Sequence, residues 1–232
     1  MVKSKITTGV GTAHGSSSAE ADGVAIREIS TSPKRGVLVW PDDEQVKLHF
    51  EAYALALGKV AHAWNYLFEK LGRLFIIVAG GNPHVANAIW YAPDSDRTKL
   101  AILREAISTP GQTPWWLPEF PTAKEDIIWL INRAVEHIDK RNTVIHAPCV
   151  LATDREGTAM AASFNGHLLA KKLWGKEILV EFDWCERWTE DLSRFANAME
   201  RALHDRRLAW PNRPGKPDLR RKKDLLPKLL PE

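Results

Sequence analysis

The sequence predicts a mainly α fold: a helical bundle of four to five helices with a small β-hairpin inserted between the last two long ones. Three observations carry this. Apolar residues recur at three-four spacing over long stretches, Gly and Pro clusters punctuate those stretches, and two short apolar runs flank a turn-rich segment. The chain has 232 residues, the length of one domain with tails or at most two small ones. Its apolar fraction of 44% with 26% charged residues is a globular composition.

Residues 1–41 form an N-terminal arm, disordered or loosely ordered, dominated by Gly, Ser, Thr and Ala, with a short edge strand at 36–40 ahead of Pro41. Helix begins at Asp42 or Asp43, either of which can cap it. The residues Phe50, Tyr53, Ala54, Leu57, Val60, Ala61, Trp64, Leu67, Phe68, Leu71, Leu74 and Phe75 fall on one stripe, and Gly80-Gly81 stops the helix. A second helical region spans 83–108 and breaks near Ala92-Pro93-Asp94. The stretch 109–121 is a packed, proline-rich loop. Its Trp115-Trp116 pair serves either as a stacking surface or as packing over the helix ends.

Thr122 and Glu125 have capping-box spacing, and Ile127, Leu130, Ile131, Ala134, Val135, Ile138 and Ile145 form the apolar face of the helix that follows, limited by Pro148. Cys149–Ala152 and Ala159–Phe164 flank the turn residues 154–157 as a hairpin. The run 176–182 reads as a strand, and Asp183 with Glu186 reads as the capping box of a last helix carrying Trp184, Trp188, Leu192, Phe195, Met199 and Ala202. The helical domain therefore covers 42–204.

Residues 205–232 are a basic C-terminal tail. They hold nine Lys/Arg against four Asp/Glu, a net of +5, so the chain's total of +3 leaves −2 for the other 204 residues. A basic tail on a near-neutral body suits a polyanion such as nucleic acid, with Arg220, Arg221, Lys222 and Lys223 as its candidate contacts, or it is a solvated end. The longest apolar run, Leu74–Ala79, is far short of a membrane span, and the basic start has no apolar segment behind it to make a secretory signal. Two cysteines, Cys149 and Cys185, make neither a disulfide framework nor a zinc site, which fits a cytoplasmic protein.

The strong catalytic signatures are absent: no phosphate-binding loop, no strand-linked dinucleotide fingerprint, no zinc-protease helix, no nucleophile elbow. What remains is Arg141-Asn142-Thr143-Val144-Ile145-His146 at the end of an amphipathic helix. Arginine presents a permanently charged fork to phosphate oxygens. Histidine exchanges a proton near neutral pH. Asn142 and His146 share a helix face, and Arg141 has the reach to join them. His137, one helical stretch earlier, is core-edge or surface. On the long helix, His62, Asn65 and Glu69 share a polar face that either lines a cleft or is ordinary solvated surface.

The string resembles the signature of the HEPN superfamily, small all-α domains in which an R-x4–6-H motif marks many members as ribonucleases. In that family a polar residue commonly follows the arginine, as Asn142 follows Arg141 here. By composition the loose spacing arises by chance about once or twice in such a chain, the tighter Arg-Asn-x-x-x-His form in about 2% of chains. Where many members carry glycine after the histidine, this chain has Ala147-Pro148.

The resemblance implies a metal-independent endoribonuclease without cofactor. His146 would act as general base and acid, Arg141 would stabilise the phosphate, and Asn142 would orient one of them. It also implies a homodimer with the cleft at its interface and RNA as substrate, with a neutralising protein as a further partner. The competing reading is a non-catalytic helical interaction or nucleic-acid-binding module in which Arg141 and His146 are structural.

Overall fold

The computed structural model describes residues 43–109, 118–146, 150–153, 159–162, 172–173 and 176–220. The N-terminal arm with its edge strand, Trp115-Trp116, Cys149 and the tail cluster Arg221-Lys222-Lys223 lie outside them. Among the described residues there are five helices: α1 (Asp43–Ala79), α2 (Pro83–Tyr91), α3 (Asp96–Ser108), α4 (Ala123–His146) and α5 (Ile178–His204). A two-stranded antiparallel hairpin, β1 (Val150–Thr153) with β2 (Ala159–Ala162), is inserted between α4 and α5. Its register pairs Val150 with Ala162 and Thr153 with Ala159. The mainly α bundle with its small hairpin is thus the observed architecture. No helix among the described residues is long and apolar enough to cross a membrane.

The helix punctuation follows local chemistry. Gly80 and Gly81 end α1 at φ of 65° and 70°, a region that side chains with a Cβ rarely enter. Asn82 then caps α2, its Oδ1 accepting the His84 N–H at 2.9 Å, with Pro83 at the first helical position. Ser95 caps α3 in the same manner. Thr122 sits at the start of α4, its carbonyl accepting the Asp126 N–H at 2.9 Å.

α1 and α5 form the central pair, α3 packs on α1 and α4, and α2 covers one flank of α1. The α1 stripe is buried from Val60 onward through Trp64, Leu67, Leu71 and Leu74, and meets Leu192, Phe195, Ala196 and Met199 within the same core. Each such side chain contributes about 1.5–3 kcal/mol against about 1 kcal/mol for a typical cap, and each long helix buries many of them, so burial rather than capping decides these helices. The stripe does not hold at its start: Phe50 is 59% exposed.

One expected strand is a helix. Residues 178–182 form the first turns of α5, with the Glu181 N–H bonded to the Glu177 carbonyl. Ile178, Phe182 and Cys185 recur at i, i+4 and i+7 on the buried face, and that burial outweighs the β-leaning run Ile-Leu-Val. Asp183 and Glu186 therefore lie inside the helix and form no capping box. Asp183 instead accepts from Arg187 Nε at 2.8 Å, one turn on.

Residues 205–220 run as an extended strap against the bundle. Trp210 Nε1 and Arg213 Nε both donate to the buried Asp126 carboxylate, at 2.7 and 2.5 Å. Trp184 Nε1 donates to the Pro217 carbonyl at 2.8 Å, and Arg187 Nη2 to the Asp218 carbonyl at 2.7 Å.

α2 approaches α1 at Gly72. A Cβ built there would stand 2.6 Å from Trp90 Nε1 and 2.8 Å from its Cδ1, and Trp90 is fully buried. Gly72→Ala should therefore cost about 1–3 kcal/mol through overpacking, against the small gain in helix propensity. Urea unfolding should show a lower midpoint with an unchanged slope; an unchanged or raised midpoint would mean that Trp90 moves freely.

Candidate functional site

The end of α4 brings Arg141, Asn142 and His146 together. Arg141 Nη1 donates to Asn142 Oδ1 at 2.8 Å and lies 3.5 Å from His146 Nε2. His146 is exposed and Asn142 half-buried. For Nε2 to accept from the guanidinium, the imidazole carries its proton on Nδ1 and keeps a lone pair on Nε2.

Arg141 is half-buried, and its environment is unusual. Its guanidinium lies over the Trp64 ring, 5.4 Å from the centroid. Its Nε is buried with no hydrogen-bond partner, and no carboxylate among the described residues reaches ion-pair distance. Burial pulls its pKa below the ordinary value, while the Asp96 carboxylate works against that shift. Asp96 itself is engaged, accepting the Trp64 Nε1–H at 2.8 Å in the first turn of α3. Two other half-buried arginines close on carboxylates, Arg133 on Glu136 and Arg187 on Asp183 at 2.8 Å each, while Arg104 bonds the neutral Asn132 amide at 2.6 Å. Leaving a partly desolvated cation without a counter-charge is costly, and an anionic ligand removes the cost.

Arg141 also lines a cavity of about 700 Å³ between α1, α2, the start of α3 and the end of α4. Trp64, Gly72 and Trp90 belong to its wall, with Asn65, Asn87, Glu69, Arg73, Tyr91 and Lys99 around it. Two of the three polar residues singled out on α1, Asn65 and Glu69, thus share a cavity with Arg141. His62 is exposed outside it, and Asn142 and His146 are not part of its wall. Glu69 is tied to Arg73 at 2.5 Å.

Sequence reasoning missed Trp64, Arg73, Asn87, Tyr91, Asp96 and Lys99. Continuing the Asn65/Glu69 face by helical spacing would have reached Gly72 and Arg73. Nothing in the sequence places α2 and α3 opposite that face. Arg220 stands apart from this region, drawn to Asp183 on α5 at 3.6 Å. No family model, curated protein or solved structure matches the chain.

His137 is neither core-edge nor surface. It is 2% exposed, its ring centroid 5.7 Å from that of Trp64 and 5.6 Å from that of Trp184. Thr189 Oγ1 donates to the Cys185 carbonyl at 2.7 Å, so it accepts from His137 Nε2–H at 2.9 Å, leaving Nδ1 a bare buried nitrogen. Burial pushes its pKa down to about 4 from 6.5, despite a Cys185 backbone contact that favours the charged form. The same burial lifts the Cys185 thiol to about 12, so it is not a nucleophile at neutral pH.

Because the unfolded chain protonates His137 first, its contribution to stability is complete above pH 6.5 and declines as the pH falls toward 4. The shift corresponds to about 3 kcal/mol across that window. Urea unfolding at several pH values should show the gap between wild type and His137→Gln closing by that order on acidification; parallel curves would refute a buried neutral imidazole.

Proposed function

We propose that the end of α4 is an RNA-cleaving site of the HEPN type, working without a metal or cofactor. The observation that carries this reading is the half-buried Arg141 guanidinium, which has no carboxylate partner among the described residues and lies 3.5 Å from an exposed imidazole. A phosphodiester supplies the missing anion, and the imidazole stands where its neighbouring hydroxyl would be deprotonated.

In this mechanism His146 Nε2 takes the proton of an RNA 2′-hydroxyl as that oxygen attacks the adjacent phosphorus. Arg141 leaves His146 and turns its fork to the phosphate oxygens, stabilising the charge that builds on them. Asn142 Oδ1 holds the guanidinium in place. The bond from phosphorus to the 5′-oxygen breaks, and the leaving oxygen takes its proton from the His146 imidazolium, which returns to its starting state. The products are a cyclic phosphate and a 5′-hydroxyl end. As in the family it resembles, the protein would act as a dimer whose two motifs face one another. A neutralising protein partner would then act by covering that shared face.

Purified protein should cut total RNA in EDTA, and His146→Ala and Arg141→Ala should each lower the rate at least about a hundredfold while remaining folded by circular dichroism. Equal residual cutting by all three proteins would identify a contaminant. Absence of cutting by folded wild type, alone or as a dimer, would favour a non-catalytic interaction module.

A further inference from the structure

Cleavage by itself needs a base and a cation at the phosphate, and it does not account for the cavity beside Arg141. That cavity, about 700 Å³, lies within the ~300–1,000 Å³ range of small-ligand sites and is far larger than a phosphate group. Its polar groups are of two kinds. Glu69 and Asp96 are engaged, by Arg73 and by Trp64 Nε1. Asn65, Asn87 and Lys99 make no hydrogen bond or ion pair through their side chains among the described residues.

Each asparagine amide offers one acceptor and two donors, the complement of a nucleobase edge. Tyr91, at the C-terminal end of α2, is 58% exposed despite its size, and Lys99 Nζ lies 5.8 Å from its ring centroid. An exposed ring, open amides and two cations with no carboxylate at ion-pair distance among the described residues, Arg141 and Lys99, suit a ligand that is at once aromatic, hydrogen-bonding and anionic. A nucleotide has all three properties.

Building on the cleavage reading, we propose that this groove seats the base of the nucleotide adjoining the scissile phosphate of single-stranded RNA. The base stacks on Tyr91, its edge is read by Asn65 and Asn87, and Lys99 meets a neighbouring phosphate. The groove thereby sets the sequence preference of cleavage, a task separate from the chemistry at His146. Stacking on an aromatic ring tolerates any base, so selectivity rests on the two amides.

The test uses fluorescein-labelled 2′-fluoro hexanucleotides of each single base, which lack the attacking hydroxyl and are not consumed. Anisotropy titrations with the full chain should show a preferred base. Tyr91→Ala should weaken binding of that base about tenfold, and Tyr91→Phe should restore it. Asn87→Ala should flatten the preference among bases. Lys99→Ala should weaken all four alike and reduce the salt dependence. Tyr91 is exposed, so its variants are expected to fold, which thermal melting checks. Failure of the wild type to bind, or Tyr91→Ala binding as wild type does, would overturn the groove proposal. Binding through Tyr91 with no cutting of natural RNA would sink the cleavage reading and keep the groove. Cutting whose KM and sequence preference ignore Tyr91→Ala and Asn87→Ala would do the reverse.

Discussion

The indole of Trp64, 2% exposed at the junction of α1, α3 and α4, is the support on which the polar groups around Arg141 rest. Its Nε1–H is tied to Asp96, its face carries the Arg141 guanidinium, and its ring lies tilted against Phe68 at 5.0 Å and His137 at 5.7 Å between centroids. One side chain therefore belongs to the hydrophobic core and to the wall of the candidate site. A buried indole needs a partner for its one donor. Here that partner is the carboxylate otherwise best placed to neutralise Arg141. Asp96 accepts the indole N–H and acts on Arg141 only through its charge at longer range, while the Trp64 face holds the guanidinium by a cation–π contact.

That arrangement bears on the choice between a catalytic and a structural Arg141. A structural arginine at a core seam is expected to close on a carboxylate or carbonyl, as Arg187 closes on Asp183 and on the Asp218 carbonyl. Among the described residues Arg141 bonds the Asn142 amide and lies 3.5 Å from the His146 imidazole, with no carboxylate at ion-pair distance. Partial desolvation without a counter-charge is a standing energetic cost, and such costs concentrate where a ligand relieves them.

A buried acid organises another part of the bundle. Asp126, in the first turn of α4, accepts from Trp210 and Arg213, and Phe120 lies against Trp210 with centroids 5.0 Å apart. The carboxylate is satisfied twice and sits where the helix N-terminus favours negative charge. Through it the strap is anchored to α4 and, by way of Trp184 and Arg187, to α5. The described strap ends at Arg220, which lies beside Asp183.

Local pattern was enough to read the helical class, the break at Ala92-Pro93-Asp94, the α1 stop at Gly80-Gly81 and the hairpin after α4, because periodicity, proline and glycine act within a few residues. It was also enough to gather Arg141, Asn142 and His146, which one helical turn brings within reach. It misread 178–182, where β-branched composition and helical burial disagree and only the packed partner, α1, breaks the tie. The cavity was legible in part: Asn65 and Glu69 share a face by spacing, whereas Tyr91, Asp96 and Lys99 reach it across chain separations that no spacing encodes. The sequence by itself determined the helical segments other than the first turns of α5, and which residues could do chemistry, since both follow from short-range geometry. Only the tertiary structure decided that Asp96 bonds Trp64 and stays beyond ion-pair distance of Arg141, because those separations exist only once three helices meet at one indole.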